Sequence, residues 1–392
     1  MVSSPPAPVE LPKTSVPDVS IIIPARNEEA NLGACLESLT AQTGVAFEIM
    51  VVDDASTDRT QEIADSFHSV RVIAAEPLSQ GRATQQSTGK QGTGKHVTGK
   101  TNALKAGAAR AHANWLLFTD ADTVHLPGSL ARALNEAATE KADLLSYSPE
   151  QIVVTFTERA VMPVVFAALA AQYPPHKVRD RSSGIVAANG QYILVRRAAY
   201  EAVGGHAAVA SEILEDVALA KLFRDAGFRV YFRYAGDAVR TRMYRNWPQL
   251  REGWTKNLAL LFPRPKRLVL MILCRWFVAW FTIYIAVSGA VSHHFAWIVS
   301  AALWLLVYRR IRAAHFTIVN NFTAMAFGLP MFAYLLLRSR NAYKHGQVSW
   351  KGRVYDVSST NNDTSGRSEI GDLSRLANQT LSTENRELRT GN

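Results

Sequence analysis

Apolar runs that recur along the first third of the chain constrain its fold more than any other feature. VSIIIP (19–24) is a continuous and largely β-branched run, which is typical of a strand buried on both faces. Comparable runs follow in FEIMVV (47–52), VRVIAA (70–75) and WLLFT (115–119). Helix-like stretches lie between several of them, and strands that alternate with helices predict a mainly parallel sheet with flanking helices. The sequence therefore predicts a Rossmann-like α/β domain.

Polar clusters stand where three of these strands end. They are Arg26–Glu28, Asp53–Asp54 and Asp120–Asp122. The carboxyl ends of parallel strands share one edge of a sheet, and ligands of such sheets bind beyond that edge. We therefore expect the three clusters to belong to one site.

Asp120 and Asp122 form a D-x-D pair on the turn that leaves a buried strand. Carboxylate oxygens suit Mg²⁺ or Mn²⁺, which also bind the phosphates of substrates. Asp is common in turns as well, so the pair taken alone also fits a purely structural turn. Because Asp53 and Asp54 end a neighbouring strand, we predict a divalent metal site.

The segment GKHVTGKT (94–101) matches the phosphate-loop pattern of nucleoside triphosphatases. That pattern has its physical meaning when a buried strand delivers the loop and a helix leaves it. A helix-forming stretch follows Lys100, but the approach SQGRATQQSTGKQGT is polar, and residues 80–98 have the composition of a low-complexity insert. We therefore predict no triphosphate loop, and Lys100 remains a candidate for a different phosphate.

A later segment, SEILEDVALAKLFRDAGF (211–228), predicts a helix that ends at Gly227. Glu215 and Asp216 lie in its opening turn, where negative charge is favourable for the helix dipole. That stabilising role stays open for both residues beside a catalytic one.

Several motifs together resemble an inverting family 2 glycosyltransferase of the GT-A fold: IIIPARNEE, VVDDASTDRT, GKTNALKAG, LLFTDADT, GGHAAV and EDVALA. RMYRNWPQLREGWTKN and VSWKGRVY resemble the membrane-attached branch with carotenoid (diaponeurosporenoate-type) and hopanoid-associated enzymes. The resemblance covers roughly residues 18–355. Processive synthases of this family carry Q-x-x-R-W where this chain has RTRMYRNW, which favours transfer of a single sugar.

The resemblance implies a role for each matching residue. A nucleotide-sugar donor, a UDP-sugar, would be bound by Pro24, Arg26, Glu28, Val52, Asp54, Lys100, Asp120 and Ala121. A divalent metal, Mg or Mn, would be held by Asp120 and Asp122, and Asp216 would be the catalytic base. Diphosphate or acceptor would contact Arg242, Tyr244, Trp254 and Lys256. An interfacial belt of aromatic and basic side chains explains these last four equally well.

These features predict an enzyme that transfers one sugar, with inversion and with a metal, to a lipid-soluble acceptor such as a carotenoid acid or another isoprenoid lipid. The metal would neutralise the diphosphate leaving group, and Asp216 would take the proton of the acceptor. A carboxylic acid acceptor is already ionised near neutral pH, and Asp216 would then orient it. The alternatives are a polyisoprenyl-phosphate or ceramide-type sugar transferase and a membrane nucleotide-binding scaffold without turnover. Nothing in the basic residues indicates a nucleic-acid partner.

The second half of the chain predicts a membrane attachment. Residues 268–292 are long enough to span a bilayer, and 295–308 would form a shorter second span. Basic flanks at both outer ends indicate a hairpin whose ends face the cytoplasm. In 314–338, two asparagines and a Gly-Leu-Pro sequence predict a re-entrant or broken helix buried in protein. Residues 159–181 predict an amphipathic helix on the membrane surface, with a buried core helix as the alternative.

The predicted organisation has five parts: a disordered tail (1–17), the GT-A catalytic domain (18–250), an interfacial segment (251–267), membrane helices (268–345) and a cytoplasmic, mostly disordered C-terminal segment (346–392). The expected location is the inner cell membrane, crossed several times, with the catalytic domain in the cytoplasm. The net charge of +10 suits the surface of an anionic leaflet.

Overall fold

The computed structural model describes five stretches of the chain: residues 16–75, 99–262, 264–288, 293–350 and 353–356. The predicted insert and nearly all of both predicted tails lie outside them. The chain divides into two compact units. The first contains the residues up to 153 together with 168–243, and the second contains 154–167 and the residues from 244 onward.

The first unit is built from strands and helices that alternate, as the sequence predicts. Its strands are β1 Val19–Ala25, β2 Phe47–Asp53, β3 Val70–Ala74, β4 Trp115–Thr119, β5 Thr123–His125, β6 Leu144–Ser148, β7 Glu150–Gln151, β8 Tyr192–Arg196, β9 Val230–Tyr234 and β10 Val239–Thr241. Its helices are α1 Leu32–Thr40, α2 Thr60–Asp65, α3 Gly99–Arg110, α4 Ser129–Thr139, the end of α5 Phe156–Gln172, α6 Pro175–Arg179, α7 Arg197–Ala202, α8 Gly205–Ala208 and α9 Glu215–Asp225.

Seven strands form the main sheet in the order β3-β2-β1-β4-β8-β6-β9. β8 runs antiparallel to both of its neighbours, and the other pairs are parallel. A small second sheet has the order β5-β10-β7. The prediction of a mainly parallel sheet with flanking helices is therefore confirmed.

Helices cover both faces of the main sheet because its central strands are apolar on both sides. In β1, Ile21 and Ile23 belong to the core cluster that includes α1 and α4. Ile22 points to the opposite face and belongs to the cluster that includes α3 and α9. Successive side chains of a strand point to opposite faces, so a continuous apolar run fills two cores at once.

Gly107 sets how closely α3 approaches the sheet. A Cβ atom at this position would lie 2.5 Å from Ile22 Cγ2 and 3.0 Å from Val52 Cγ2. The absence of a side chain therefore lets α3 rest directly on β1 and β2. This contact fixes the start of α3, where Lys100 is the second residue.

The second unit is mostly helical. It contains the first part of α5, α10 Trp247–Leu261, α11 Pro265–Ser288, α12 His293–Arg312, α13 Ile318–Thr323, a π-helical segment Ala324–Gly328, α14 Leu329–Lys344, and a hairpin of β11 Gln347–Trp350 and β12 Arg353–Asp356. Two helices are long and apolar enough to cross a membrane, Pro265–Ser288 and Ile318–Lys344. Large apolar side chains of α11 are exposed, among them Leu270, Phe277 and Tyr284.

The predicted break in 314–338 does not occur, because the chain stays helical from Ile318 to Lys344, whereas the re-entrant alternative stays a prediction. Pro330 has no N–H to donate to the carbonyl of Ala326, the acceptor four residues before it. The indole Nε1 of Trp276, on α11, donates to that carbonyl oxygen at 3.1 Å. The irregularity is absorbed by the π-helical segment instead of a break.

In the segment 159–181, residues 160–167 form part of a buried helix, as the alternative interpretation predicts, and not an amphipathic surface helix. All eight of these residues are buried. Within the second unit, Gly328 allows the π-helical segment to approach α5, because a Cβ atom at Gly328 would collide with the carbonyl oxygen of Ala160.

Candidate active site

The ends of β1 and β2 carry the first group of predicted site residues. Ala25 pairs with Asp53, so Arg26 and Asp54 leave the sheet side by side. Arg26 Nη1 donates to the carbonyl oxygen of Asp54 at 2.9 Å and lies 3.7 Å from its carboxylate Oδ2. Asp54 N–H in turn donates to the carbonyl of Ala25 at 2.9 Å. The two strand ends are therefore tied together by one cation and one carboxylate.

Three other predicted donor residues lie beside this pair. Pro24 pairs with Val52 in the β1–β2 ladder, and Val52 is fully buried beneath α3. Glu28 follows the turn after β1, where its N–H donates to Thr60 Oγ1 at 2.7 Å and its Oε2 accepts from Asn31 Nδ2 at 2.9 Å. These contacts hold Glu28 at the entrance to α1.

Lys100 brings a second group of predicted residues together. Its ammonium Nζ lies 2.8 Å from Asp120 Oδ1, at the end of β4, and 3.0 Å from Glu215 Oε1, at the start of α9. Only a third of the Lys100 side chain is exposed, and Glu215 is buried. β4 is the neighbour of β1 in the sheet, so this group stands at the same edge as Arg26.

Asp216, the predicted base, is held at both carboxylate oxygens. Oδ2 accepts from the N–H of Gly190 and Oδ1 from its own helix, at Val217 N–H, each at 2.8 Å. A Cβ atom at Gly190 would lie 3.0 Å from Lys100 Nζ and 3.4 Å from Asp216 Oδ2. Lys100 and Asp216 therefore flank one point, where no side chain separates them.

The charges of this second group are only partly balanced. Burial, and next the charge of Glu215, raise the pKa of Asp216 to about 6, against the opposing effect of Lys100. Burial alone would lower the pKa of Lys100, but Asp120 and Glu215 hold it well above its ordinary value. At neutral pH one ammonium is thus shared by several carboxylates.

Buried polar residues fix the turn that carries Asp122. Thr241 Oγ1 donates to the carbonyl of Asp122 at 3.1 Å, and Gln191 Nε2 donates to Thr241 Oγ1 at 3.3 Å. Thr241 pairs with Thr123 in the antiparallel β5–β10 ladder. The next residue, Arg242, therefore stands at the end of β10 that adjoins Asp122. Ala121, between the two acidic residues, is buried.

The residues that could hold a metal are oxygen ligands only. Among the residues that the structure describes, no group of three or more His, Cys, Asp or Glu is arranged to hold an ion. Asp120 and Asp122 could supply two carboxylates, and the remaining ligands would have to be oxygens of the substrate and water. Mg²⁺ and Mn²⁺ are commonly bound in this way, so the donor set fits such an ion.

The other three predicted acceptor residues belong to the second unit. Tyr244 and Trp254 are both buried there, with ring centroids 6.0 Å apart. The backbone carbonyl of Lys256 accepts from the hydroxyl of Tyr343 at 2.7 Å. The interfacial-belt alternative therefore does not hold for Tyr244 and Trp254, because belt residues face the headgroups.

Sequence reasoning did not assign Glu215 and Gly190 to the site. Glu215 had one signal, its position beside Asp216, but an acidic residue in the first turn of a helix also fits the dipole explanation. Gly190 had no such signal, because its role depends on how closely the loop before β8 approaches α9. Neither contact has a local signature.

Residues 20–89 and 93–204 match the family model described as glycosyl transferase family 2. The 4,4'-diaponeurosporenoate glycosyltransferase of Staphylococcus aureus (strain USA300) is 26% identical over 364 residues, which cover 87% of this chain and 88% of that protein. The protein of the same name from Staphylococcus haemolyticus (strain JCSC1435) is 28% identical over 364 residues, covering 86% and 88%.

One similar solved structure is a mannosyltransferase from Pyrobaculum calidifontis in complex with GDP-Man and Mn²⁺. It aligns with a TM-score of 0.41 at 16% identity and covers 84% of this chain and 87% of that one. The family match includes the turns that carry Arg26, Asp54, Lys100 and Asp120, and Asp216 lies beyond it.

Proposed function

We propose that this family 2 glycosyltransferase transfers a single sugar from a UDP-sugar to a lipid-soluble acceptor. Residues 20–89 and 93–204, which match the glycosyl transferase family 2 model, include most of the mainly parallel sheet. The observation that carries the proposal is the meeting of Lys100, Asp120 and Glu215–Asp216 at the edge where Arg26 and Asp54 end their strands.

The donor would lie along the carboxyl edge of the sheet. Asp54 is held at the end of β2, where its carboxylate could accept a hydrogen bond from the N–H of a uracil ring. Lys100 stands beyond β4, within reach of a diphosphate that leaves that ring. A partly buried ammonium is favourable for a phosphate, because lower local dielectric strengthens their attraction.

Asp120 and Asp122 would hold the divalent ion. When bound, such an ion neutralises the charge that develops on a leaving diphosphate. The protein's own part is to fix these two carboxylates, through the bond of Lys100 to Asp120 and the bond of Thr241 to the carbonyl of Asp122.

Asp216 would act on the acceptor. With a pKa of about 6 it is ionised at neutral pH and is still basic enough to take a proton in the transition state. Its two backbone hydrogen bonds fix the direction of its lone pairs. For a hydroxyl acceptor, a carboxylate that deprotonates the attacking oxygen on the face opposite the leaving group suits an inverting transfer. A carotenoid acid is already ionised near neutral pH, and Asp216 would then orient it.

A lipid acceptor and a membrane location are supported by the relatives and by the second unit. The relatives are named for their action on diaponeurosporenoate, a carotenoid acid. Within the described part of the second unit, Asp or Glu occurs at three positions, Glu158, Glu252 and Asp356, against fifteen Lys or Arg. Exposed apolar side chains on α11 together with this positive charge suit an anionic bilayer. We propose that the catalytic unit faces the cytoplasm of a multi-pass inner-membrane protein.

The test is a transfer assay on the purified full-length protein in detergent, with Mn²⁺ or Mg²⁺. UDP-sugars and GDP-mannose would be offered with a carotenoid acid, an isoprenoid alcohol, a polyisoprenyl phosphate and a ceramide. We expect release of UDP and a glycosylated carotenoid acid or isoprenoid, measured by mass spectrometry of the lipid extract. Transfer to the polyisoprenyl phosphate or the ceramide alone would select those acceptors instead.

Asp122→Ala is the matched loss-of-function variant, and Asp65→Ala, an exposed residue at the end of α2, is its control. We expect Asp122→Ala to abolish transfer while Asp65→Ala retains it. ATP or GTP hydrolysis that needs Lys100 but not Asp120 would contradict the proposal and indicate a triphosphatase.

A further inference from the structure

Glu215 takes part in the site without a place in the proposed reaction. It is the first residue of α9 and is buried, with Oε1 3.0 Å from the ammonium of Lys100. The same ammonium is 2.8 Å from Asp120 Oδ1. One lysine is therefore held from two sides, by the end of β4 and by the helix that carries Asp216.

We propose that Glu215 is a positioning residue, which fixes the ammonium of Lys100 between the donor-side carboxylate Asp120 and the acceptor-side carboxylate Asp216. The inference rests on the proposed function, since it takes Asp120 as a donor-side residue and Asp216 as the base.

The ammonium of Lys100 needs a second carboxylate partner, because Asp120 cannot hold it while it also binds the donor and its cation. Asp120 has to serve the donor and its cation, and a carboxylate that binds a cation attracts an ammonium less strongly. A lysine side chain is flexible and loses rotamer entropy when it is ordered. Glu215 is on a helix and away from the D-x-D turn, so it can keep Lys100 in place when Asp120 is engaged elsewhere.

The surroundings of Lys100 leave room for this arrangement and little else. Gly190 passes so close that a Cβ atom would lie 3.0 Å from Nζ. His206, whose pKa responds to the charges of Glu215 and Lys100, is buried, and its Nδ1 is 3.0 Å from the hydroxyl of Tyr200. Burial lowers the pKa of His206 to about 4, so at neutral pH it adds no charge to the pair.

The competing explanation is that Glu215 only stabilises the first turn of α9 through the helix dipole. That role does not involve Lys100, whereas positioning acts entirely through it. A double-mutant cycle separates the two, because the effects of residues that act through one another are not additive.

The first measurement is thermal unfolding of the full-length protein without donor and without metal. Four proteins would be compared: wild type, Glu215→Gln, Lys100→Met and the double variant. We expect Glu215→Gln to lower the midpoint in the wild-type background and to leave it unchanged or raise it in the Lys100→Met background. An equal lowering in both backgrounds would overturn the proposal in favour of the dipole role.

The second measurement is steady-state kinetics with the donor varied. We expect Glu215→Gln to raise the donor KM about tenfold, with partial recovery in Glu215→Asp, which keeps the charge on a shorter side chain. In the Lys100→Met background the same substitution should change kcat/KM less than twofold. Glu212→Gln, which removes an exposed carboxylate three residues earlier, is the control and should leave both constants unchanged. A full tenfold effect in the Lys100→Met background would contradict the inference.

The two measurements also distinguish this inference from the proposed function. If wild-type protein transfers no sugar from any donor, the proposed function fails, and the unfolding cycle still decides whether Glu215 acts through Lys100. If transfer occurs but the cycle is additive, the positioning role alone is refuted.

Discussion

The two ends of the site are built in different ways. At one end, Arg26 meets Asp54 across neighbouring parallel strands, and the register of the sheet alone brings them together. At the other end, Lys100 meets Asp120 and Glu215. Lys100 stands at the start of α3, Asp120 at the end of β4 and Glu215 at the start of α9. The first end is fixed by local pairing, and the second depends on how separate elements pack.

The ends also differ in charge. Arg26 and Asp54 balance one another, whereas Lys100 is shared among carboxylates and Asp216 stays ionised against its surroundings. Ionisable groups with strongly shifted pKa values cluster at functional sites, whereas a balanced ion pair can stabilise the fold as readily as it can bind a ligand. The difference supports our proposal that Arg26 and Asp54 recognise the donor, whereas Lys100 and Asp216 take part in the chemistry.

The largest effect should come from Asp216→Asn, which keeps the shape of the side chain and removes its basicity. We expect kcat to fall about 10³-fold, within the usual range for general base catalysis, and the donor KM to stay within about twofold. Steady-state transfer assays measure both. Asp225→Asn, on the same helix and in an exposed pair with Lys221, is the control. A change confined to KM would place Asp216 with the recognition end and break the comparison.

Asp122→Asn should have the next largest effect, because it removes one of the two proposed carboxylate ligands. We expect kcat/KM to fall about 10²-fold. The Mn²⁺ concentration for half-maximal activity should rise in the same variant, and a titration of activity against Mn²⁺ measures it. If the variant needs no more Mn²⁺ than wild type, Asp122 is not a ligand.

The pH dependence should follow the carboxylate at the chemical end. The pKa of Asp216 is raised to about 6, and the ionised form is the base, so kcat/KM should be constant above that value and fall below it. A single ionisation near 6 reduces the rate about tenfold at pH 5. A profile of kcat/KM from pH 5 to 8 tests this. A profile that stays flat from pH 5 to 8 would mean that Asp216 is not the group that titrates.

The smallest effect is expected at the recognition end. Asp54→Asn should raise the KM for the UDP-sugar by about tenfold or less, the worth of one charge-assisted hydrogen bond, and leave kcat nearly unchanged. Competition between UDP- and GDP-sugars, measured on the same variant, would show relaxed base preference. A large fall in kcat with unchanged KM would contradict a recognition role.

The recognition end could be predicted from the sequence because its cause is local. A β-branched run that ends in Arg26 and another that ends in Asp54 are sufficient to place both residues at one edge of a parallel sheet. Asp120 follows from the same reasoning. Lys100 and Asp216 were assigned through the resemblance to known motifs, and the contact between Lys100 and Glu215 was not predicted at all. It depends on the close approach of α3 to β1 and β2 at Gly107 and on where α9 starts, and no sequence periodicity indicates either.

The second unit also contains a contact between separate elements that the sequence does not indicate. Asn320, Asn321 and Pro330 are signals of irregular backbone, and the sequence pattern indicated a break. The helix continues because a donor arrives from another element, the indole of Trp276. A hydrogen bond from outside the helix, which a local sequence pattern does not indicate, replaces the one that Pro330 cannot donate.

The hydrogen bond from the Trp276 indole joins two helices that are made one after the other. α11 precedes the later helix in the chain, so during synthesis it is available before the carbonyl of Ala326 needs a partner. A bare carbonyl in an apolar environment is costly, so the later helix is complete only once α11 stands beside it. In a chain rearranged so that α11 followed the later helix, this carbonyl would lack the Trp276 donor while the later helix is being made.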